Sequence, residues 1–436
     1  MSTKPTYPTY QNRAGWNALL PARHARKVPA LKKRYAFVVI GAGYTGVASA
    51  RRLAELNPDE EILLLEAGQV GEGSSARNSG FLISLPHNTH LSGGHQSPLQ
   101  IAQKQISIYD AGLSWLHSLV QQHSIECGWK SIGKYHGAAT QGGEEQLKRS
   151  LDDLRAWNIP IKEMSREELQ EKTGTSYYKY GYHTANNVFV QPAALIRGLA
   201  DHLPSNVILH ENTPVIAVEN SAKNICITLK QGQIHADKVV LANNGFAKSL
   251  GFLESRLITI YTYAGLTPVL SPSEIEKHGP EPEWGLIPAN RLGTTLRKFN
   301  NERFMLRAAY SYETEQSGAL IKTMLQDCYK RRYPHLKSHE LELIWGGTTA
   351  LTRNGAMFFG EVSKNLFAVS GCNGAGVLKG SAYGKLLAEL MMGSQSKSLS
   401  DALSFALPSW LPPEPLRKLA VTTAIKMQKR KAGAEF

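Results

Sequence analysis

The chain has 436 residues, 49 Lys+Arg against 36 Asp+Glu, and a formal charge of +13. The excess sits at the ends: residues 1–34 hold eight bases and no acid, and 415–436 hold six bases and one acid, which leaves the 35–414 body formally neutral. That distribution argues against a body built as one large polyanion-binding surface. At about 100–200 residues per domain the length predicts two or three domains, and the 42% apolar content is that of a globular chain. No stretch approaches the roughly 20 apolar residues of a membrane helix. Four cysteines without C-x-x-C spacing point to a reducing cytoplasm.

Tyr35-Ala-Phe-Val-Val-Ile40 reads as a buried parallel strand. It runs into Gly41-Ala-Gly43-Tyr44-Thr45-Gly46, then an Ala- and Leu-rich helical stretch to about Leu56. A second apolar strand, Ile62 to Leu65, ends in Glu66. These parts in register make a dinucleotide-binding unit. Gly41 permits the tight turn, Gly43 lets backbone approach a pyrophosphate, and Gly46 allows close helix–strand packing. The helix N-terminus attracts phosphate, and Glu66 stands where a carboxylate accepts hydrogen bonds from ribose hydroxyls. A free carboxylate there disfavours a ribose 2′-phosphate.

The next segment, Ala67 through Ser74-Ser75-Ala-Arg77-Asn78-Ser79-Gly80, resembles the FAD-dependent amino-acid and amine oxidase family that includes D-amino-acid oxidase, glycine oxidase and sarcosine oxidase. Within it the gamma-glutamylputrescine oxidase branch is the most similar. The resemblance continues through Val190-Gln-Pro192, Thr213-Pro-Val215, the strand and turn Val239 to Asn244-Gly245, Trp345 to Thr352, and the flavin loop Gly371-Cys-Asn373-Gly374-Ala375-Gly376-Val377. It spans about residues 35–415. It implies FAD as cofactor, with the residues named from Gly41 to Val377 around it. The loop carries Ala375 where relatives usually have His. No cysteine precedes Thr352, where relatives with covalent flavin have one, so the resemblance implies non-covalent FAD.

The family organisation implies an α/β Rossmann-type FAD-binding domain interleaved with an α+β substrate domain on an antiparallel sheet. The expected segments are a basic N-terminal arm (1–34), FAD domain (35–90, 185–255, 345–395), substrate domain (91–184, 256–344) and a C-terminal basic tail (396–436). A core-facing helix is expected from Leu99 to about His123, and Ser165 to Glu168 is a capping box. Substrate-side candidates are Arg307 and Tyr310 on an alternating strand, Tyr261 and Tyr263, His87 after the Arg-Asn turn, and Lys379 after the flavin loop. Each also has a structural reading as an ion-paired, core or loop residue. No catalytic acid–base pair is forced, because amine oxidation by a flavin is hydride transfer to N5 from a neutral, well-placed amine.

The expected function is oxidation of the CH–NH bond of a small amine, amino acid or amino-acid conjugate, with oxygen or another acceptor taking the electrons. One alternative is a flavoprotein acting on a modified tRNA base, disfavoured by the neutral body. Another is docking of the basic tails to a membrane or acidic partner. Pro415 to Lys431 is modestly amphipathic, and a helix lying on its own FAD domain is the preferred reading of it.

Overall fold

A computed structural model describes residues 5–86, 88, 89, 91, 96–221, 224–336 and 338–436. The β-branched run forms the strand Arg34–Ile40, paired on both sides from Phe37 to Ile40. It is parallel to Ile62–Leu65 (Val38 opposite Leu63) and to Gly232–Leu241 (Val39 opposite Val240). Val207–His210 extends this sheet beyond Ile62–Leu65, and Leu366–Ser370 extends it beyond Gly232–Leu241. All four residues of Ile62–Leu65 are buried, as expected of a parallel strand covered on both faces.

Two helices pack together on this sheet, Tyr44–Leu56 and Gly376–Met391. Glycine makes the approach possible. A Cβ on Gly384 would lie 2.4 Å from the Thr45 carbonyl oxygen, and Ser49 Oγ donates to the Gly384 carbonyl at 2.9 Å.

The second sheet runs in the order Leu343–Leu351, Ile258–Leu266, Arg303–Tyr312, Thr295–Phe299, Trp284–Pro288, Lys134–Ala138, Tyr180–Thr184, Ile161–Met164. It is largely antiparallel, with one parallel pairing between Trp284–Pro288 and Lys134–Ala138. The molecule is therefore a mixed α/β protein with two multi-stranded sheets. Leu343–Leu351 pairs along its length with Ile258–Leu266. The return to the first sheet, expected at 345, comes instead with Phe358–Ser363. The helix Pro98–Gln122 carries a Ser97/Gln100 capping box, and Arg166–Thr173 the expected Ser165/Glu168 box.

Both basic ends are built into the body. The Arg23 side chain is 6% exposed, 2.8 Å from Glu211 and 3.0 Å from Asp201. Trp16 is fully buried between Phe299 and Trp345. The C-terminal helix Leu416–Ala432 packs against Arg303–Tyr312 of the second sheet, not on the dinucleotide sheet. A carboxylate just beyond it in sequence holds its end: Glu435 accepts from the N–H groups of Ala139 and Thr140 at 2.8 and 2.9 Å, at the start of the helix Gln141–Ala156.

Candidate active site

A cavity of about 660 Å³ lies between the two sheets. At its dinucleotide end, Arg34–Ile40 ends in Gly41, whose φ of +103° is open to glycine. Gly46 lies behind the turn, where a Cβ would come 1.7 Å from the Gly41 carbonyl oxygen, so only glycine lets helix meet strand. Glu66 accepts from Ala42 N–H at 2.8 Å and Gly68 N–H at 3.2 Å. Its burial outweighs these hydrogen bonds and raises its pKa above the usual carboxylate value.

The Ser-x-Arg-Asn turn is held from all sides. Ser75 Oγ accepts from Tyr44 N–H at 3.3 Å. Ser74 Oγ lies 2.6 Å from Thr348 Oγ1 and 3.1 Å from the Tyr10 hydroxyl. The buried Arg77 guanidinium donates to the carbonyls of Glu72, Asn12 and Gly346 and stacks on the Tyr10 ring at 3.6 Å. These contacts let it shape the turn. Asn78 closes it by accepting from Gly80 N–H and donating to the Ser75 carbonyl. Arg297, paired with Glu283 at 2.7 Å, donates to the carbonyls of Ser79 and Val190.

Opposite, Asn244 accepts from Gly371 N–H at 3.0 Å, and Asn373 donates to the Gly371 and Gly355 carbonyls. Gly374 has a φ of +90°. The helix Gly376–Met391 then begins at Ala375 with no side-chain cap, and Tyr44–Leu56 likewise begins at Gly43 without a cap of its own. Two helix N-termini, Ala375 to Val377 and Gly43 to Thr45, therefore face one cavity. Asn243, also on its wall, has a buried Oδ1 with no hydrogen-bond partner among the described residues. Two positive dipole ends facing one cavity fit a ligand with an anionic centre and a second acceptor, as a flavin dinucleotide has.

Most of the expected cofactor residues line this cavity: Gly41, Gly43, Tyr44, Thr45, Glu66, Ala67, Ser74, Ser75, Arg77, Asn78, Ser79, Val215, Asn244 and Asn373 to Val377. Gly46, Gly80 and Gly371 do not; they pack behind it, against Gly41, Val190 and Thr352. The Val215 carbonyl already accepts from Thr6 Oγ1 at 2.7 Å. Cys372 lies on the wall, its Sγ 3.5 Å from Thr349 Oγ1 and from Asn244 Nδ2.

On the second sheet's side, the strand Arg303–Tyr312 pairs with Ile258–Leu266 through a bulge at Ala309, whose φ is +61°. Strict alternation would put Arg307 and Tyr310 on opposite faces. The extra residue turns both into the cavity, where Arg307 donates to the Tyr310 hydroxyl at 3.1 Å and to Thr262 Oγ1 at 3.0 Å. Among the described residues no carboxylate pairs with Arg307.

Other candidates fall elsewhere. Tyr261 and Tyr263 point to the opposite face, into the second sheet's core, and the cavity receives Ile260 and Thr262 instead. Period-2 geometry requires one set or the other, and the sequence carries no mark of which. Lys379 is buried on the far side of the flavin loop and does not line this cavity. His87 lies outside the described residues.

Two contributions went unread in the sequence: Thr6, Tyr7 and Pro8 from the arm, and Val421, Ala424, Ile425 and Gln428 from the C-terminal helix. The inward spacing 421, 424, 425, 428 is a helix face, the one signal that could have found the second set.

Comparison with known proteins agrees with this geometry. The chain is 26% identical over 400 residues to the probable oxidoreductase OrdL of Rhizobium meliloti (strain 1021), covering 88% of this chain and 89% of that protein. It is 23% identical to the gamma-glutamylputrescine oxidoreductase of Escherichia coli (strain K12), over 82% of this chain and 84% of that one. Its fold matches the crystal structure of glycine oxidase from Geobacillus kaustophilus with a TM-score of 0.71 at 20% identity, covering 84% and 96% of the two chains. Residues 36–390 match the family model described as DAO, FAD dependent oxidoreductase, and with the dinucleotide turn, the flavin loop and the two-sheet cavity in place the chain belongs to that family.

Proposed function

We propose that this protein oxidises the CH–NH bond of a small amine that carries a carboxylate, such as an amino acid or amino-acid conjugate, to an imine that hydrolyses in water. The observation that carries the reading is Arg307: a guanidinium on the cavity wall, oriented by Thr262 and Tyr310, with no acid paired to it among the described residues. A carboxylate fits that fork. FAD, when bound along the Gly41 and Gly374 turns, supplies the hydride acceptor.

The rest is positioning. Ile260 and Pro288 from the second sheet, with Ile425 from the C-terminal helix, give the site apolar walls that exclude water. Among the described residues the cavity wall holds no His and no acid other than Glu66, which belongs to the dinucleotide end. The described residues therefore supply no strong base to the substrate nitrogen, and the amine reacts in its neutral form. The rate at low substrate should rise with pH towards the amine's own pKa.

Anaerobic mixing of the holoenzyme with amines and amino acids, followed by flavin bleaching, tests the reaction. Arg307→Met removes a charge-assisted interaction of about 1.5–3 kcal/mol, so KM for the carboxylated substrate should rise about 10- to 150-fold while flavin content is unchanged. Absence of bleaching by any amine or amino acid refutes the reading. An unchanged KM in Arg307→Met removes the carboxylate from it.

A further inference from the structure

A second cavity, of about 890 Å³, lies behind the flavin loop. Lys379 projects into it from the helix Gly376–Met391, 8% exposed, with its Nζ 5.6 Å from the centre of the Tyr109 ring. Among the described residues it has no hydrogen-bond acceptor and no carboxylate partner. Burial pushes its pKa down to about 8, against the partial offset of Cys372, and none of the described residues supplies it a counterion. Arg291 and Arg353 stand on the same wall, and neither is paired with an acid among the described residues. Glu361 is the one carboxylate lining the cavity among them.

The wall also carries the rings of Tyr109, Tyr383, Phe359 and Phe405. We propose that this cavity is a binding site for a small organic monoanion with an aromatic or alkyl body, its acidic group held by Lys379 and its body by the ring-lined wall. The occupant would touch the back of the flavin loop, because Arg291, Met357 and Asn373 line both cavities and the Asn373 amide holds Gly371 and Gly355. The site is separate from the one containing Arg307, and its occupancy needs no turnover.

The test titrates 2-naphthoate into the substrate-free holoenzyme by calorimetry, with neutral 2-naphthamide as the isostere. The expected result is that naphthoate binds and the amide binds at least tenfold more weakly. Lys379→Met should weaken naphthoate at least tenfold, Lys379→Arg should stay within threefold of the native protein, and Arg307→Met should leave binding unchanged. Equal binding of acid and amide overturns the proposal, as does no binding at millimolar naphthoate. So does loss of binding in Arg307→Met, which would place the anion in the flavin-side cavity instead. Should Lys379→Met fail to fold, the amide comparison and the Arg307 variant decide the matter.

Discussion

Trp16→Ala should loosen the N-terminal arm and weaken FAD binding together. The indole is fully buried, packs on Phe299 with ring centres 4.9 Å apart, and lies 5.3 Å below the Arg297 guanidinium. Removing such a ring costs about 3–5 kcal/mol. Its N–H also donates to the Asn78 carbonyl at 2.7 Å, in the turn that shapes the cofactor cavity, and stranding a buried acceptor adds about 1–3 kcal/mol.

The loss can spread no further than the arm's own docking energy, because the arm can detach while the sheets stay folded. Detachment withdraws Thr6, Tyr7 and Pro8 from the cavity wall and frees Arg23 from Glu211. FAD affinity should therefore fall at least tenfold, about 1.4 kcal/mol. Trypsin should cleave at Arg23 in the variant and not in the native protein. Trp16→Phe, which keeps the packing and loses the N–H, should show a smaller effect of the same kind. A Trp16→Ala protein with FAD affinity within twofold of native and no new cleavage refutes the view that the arm is part of the site.

Three further outcomes are expected. Acid or heat denaturation should release all of the yellow cofactor into solution, and flavin absorbance remaining with the protein after precipitation would contradict non-covalent binding. Glu435→Ala removes the acceptor for Ala139 and Thr140, and should raise substrate KM several-fold by freeing the C-terminal helix, with FAD affinity unchanged; steady-state kinetics beside a flavin titration would separate the two. His278 is fully buried, and burial pushes its pKa down to about 3. The unfolded chain then binds the extra proton between about pH 6.5 and 3, so stability is intact above 6.5 and falls through that window, by about 5 kcal/mol at most. Melting temperature against pH should show that slope, flatter in His278→Gln; equal slopes would assign it to other groups.

The cofactor half of the site was readable because its parts are local. Strand, glycine turn, helix and terminal Glu66 lie within 33 consecutive residues, each with one conformational task, and residue type alone states the task. The same holds for the flavin loop, where Gly374 takes a backbone angle that side chains rarely adopt. The substrate half was less readable. Arg307 and Tyr310 share a wall because Ala309 bulges, and an alanine at +61° has no signature in a hydrophobic pattern. Whether Thr262 or its tyrosine neighbours face the cavity depended on how the strand Ile258–Leu266 sits against two partners.

The charged ends mark the division most clearly. Composition by itself established that the excess of bases lies outside a neutral body, and the motifs placed the flavin within that body. Tertiary structure decided that the ends are also walls of the cavity. Burial of Trp16, the Arg23–Glu211 pair and the Glu435 contacts bring residues 6–8 and 421–428 to it. Those contacts join segments hundreds of residues apart. Their energy comes from desolvation and pairing in the folded state, which the order of residues along either tail does not display.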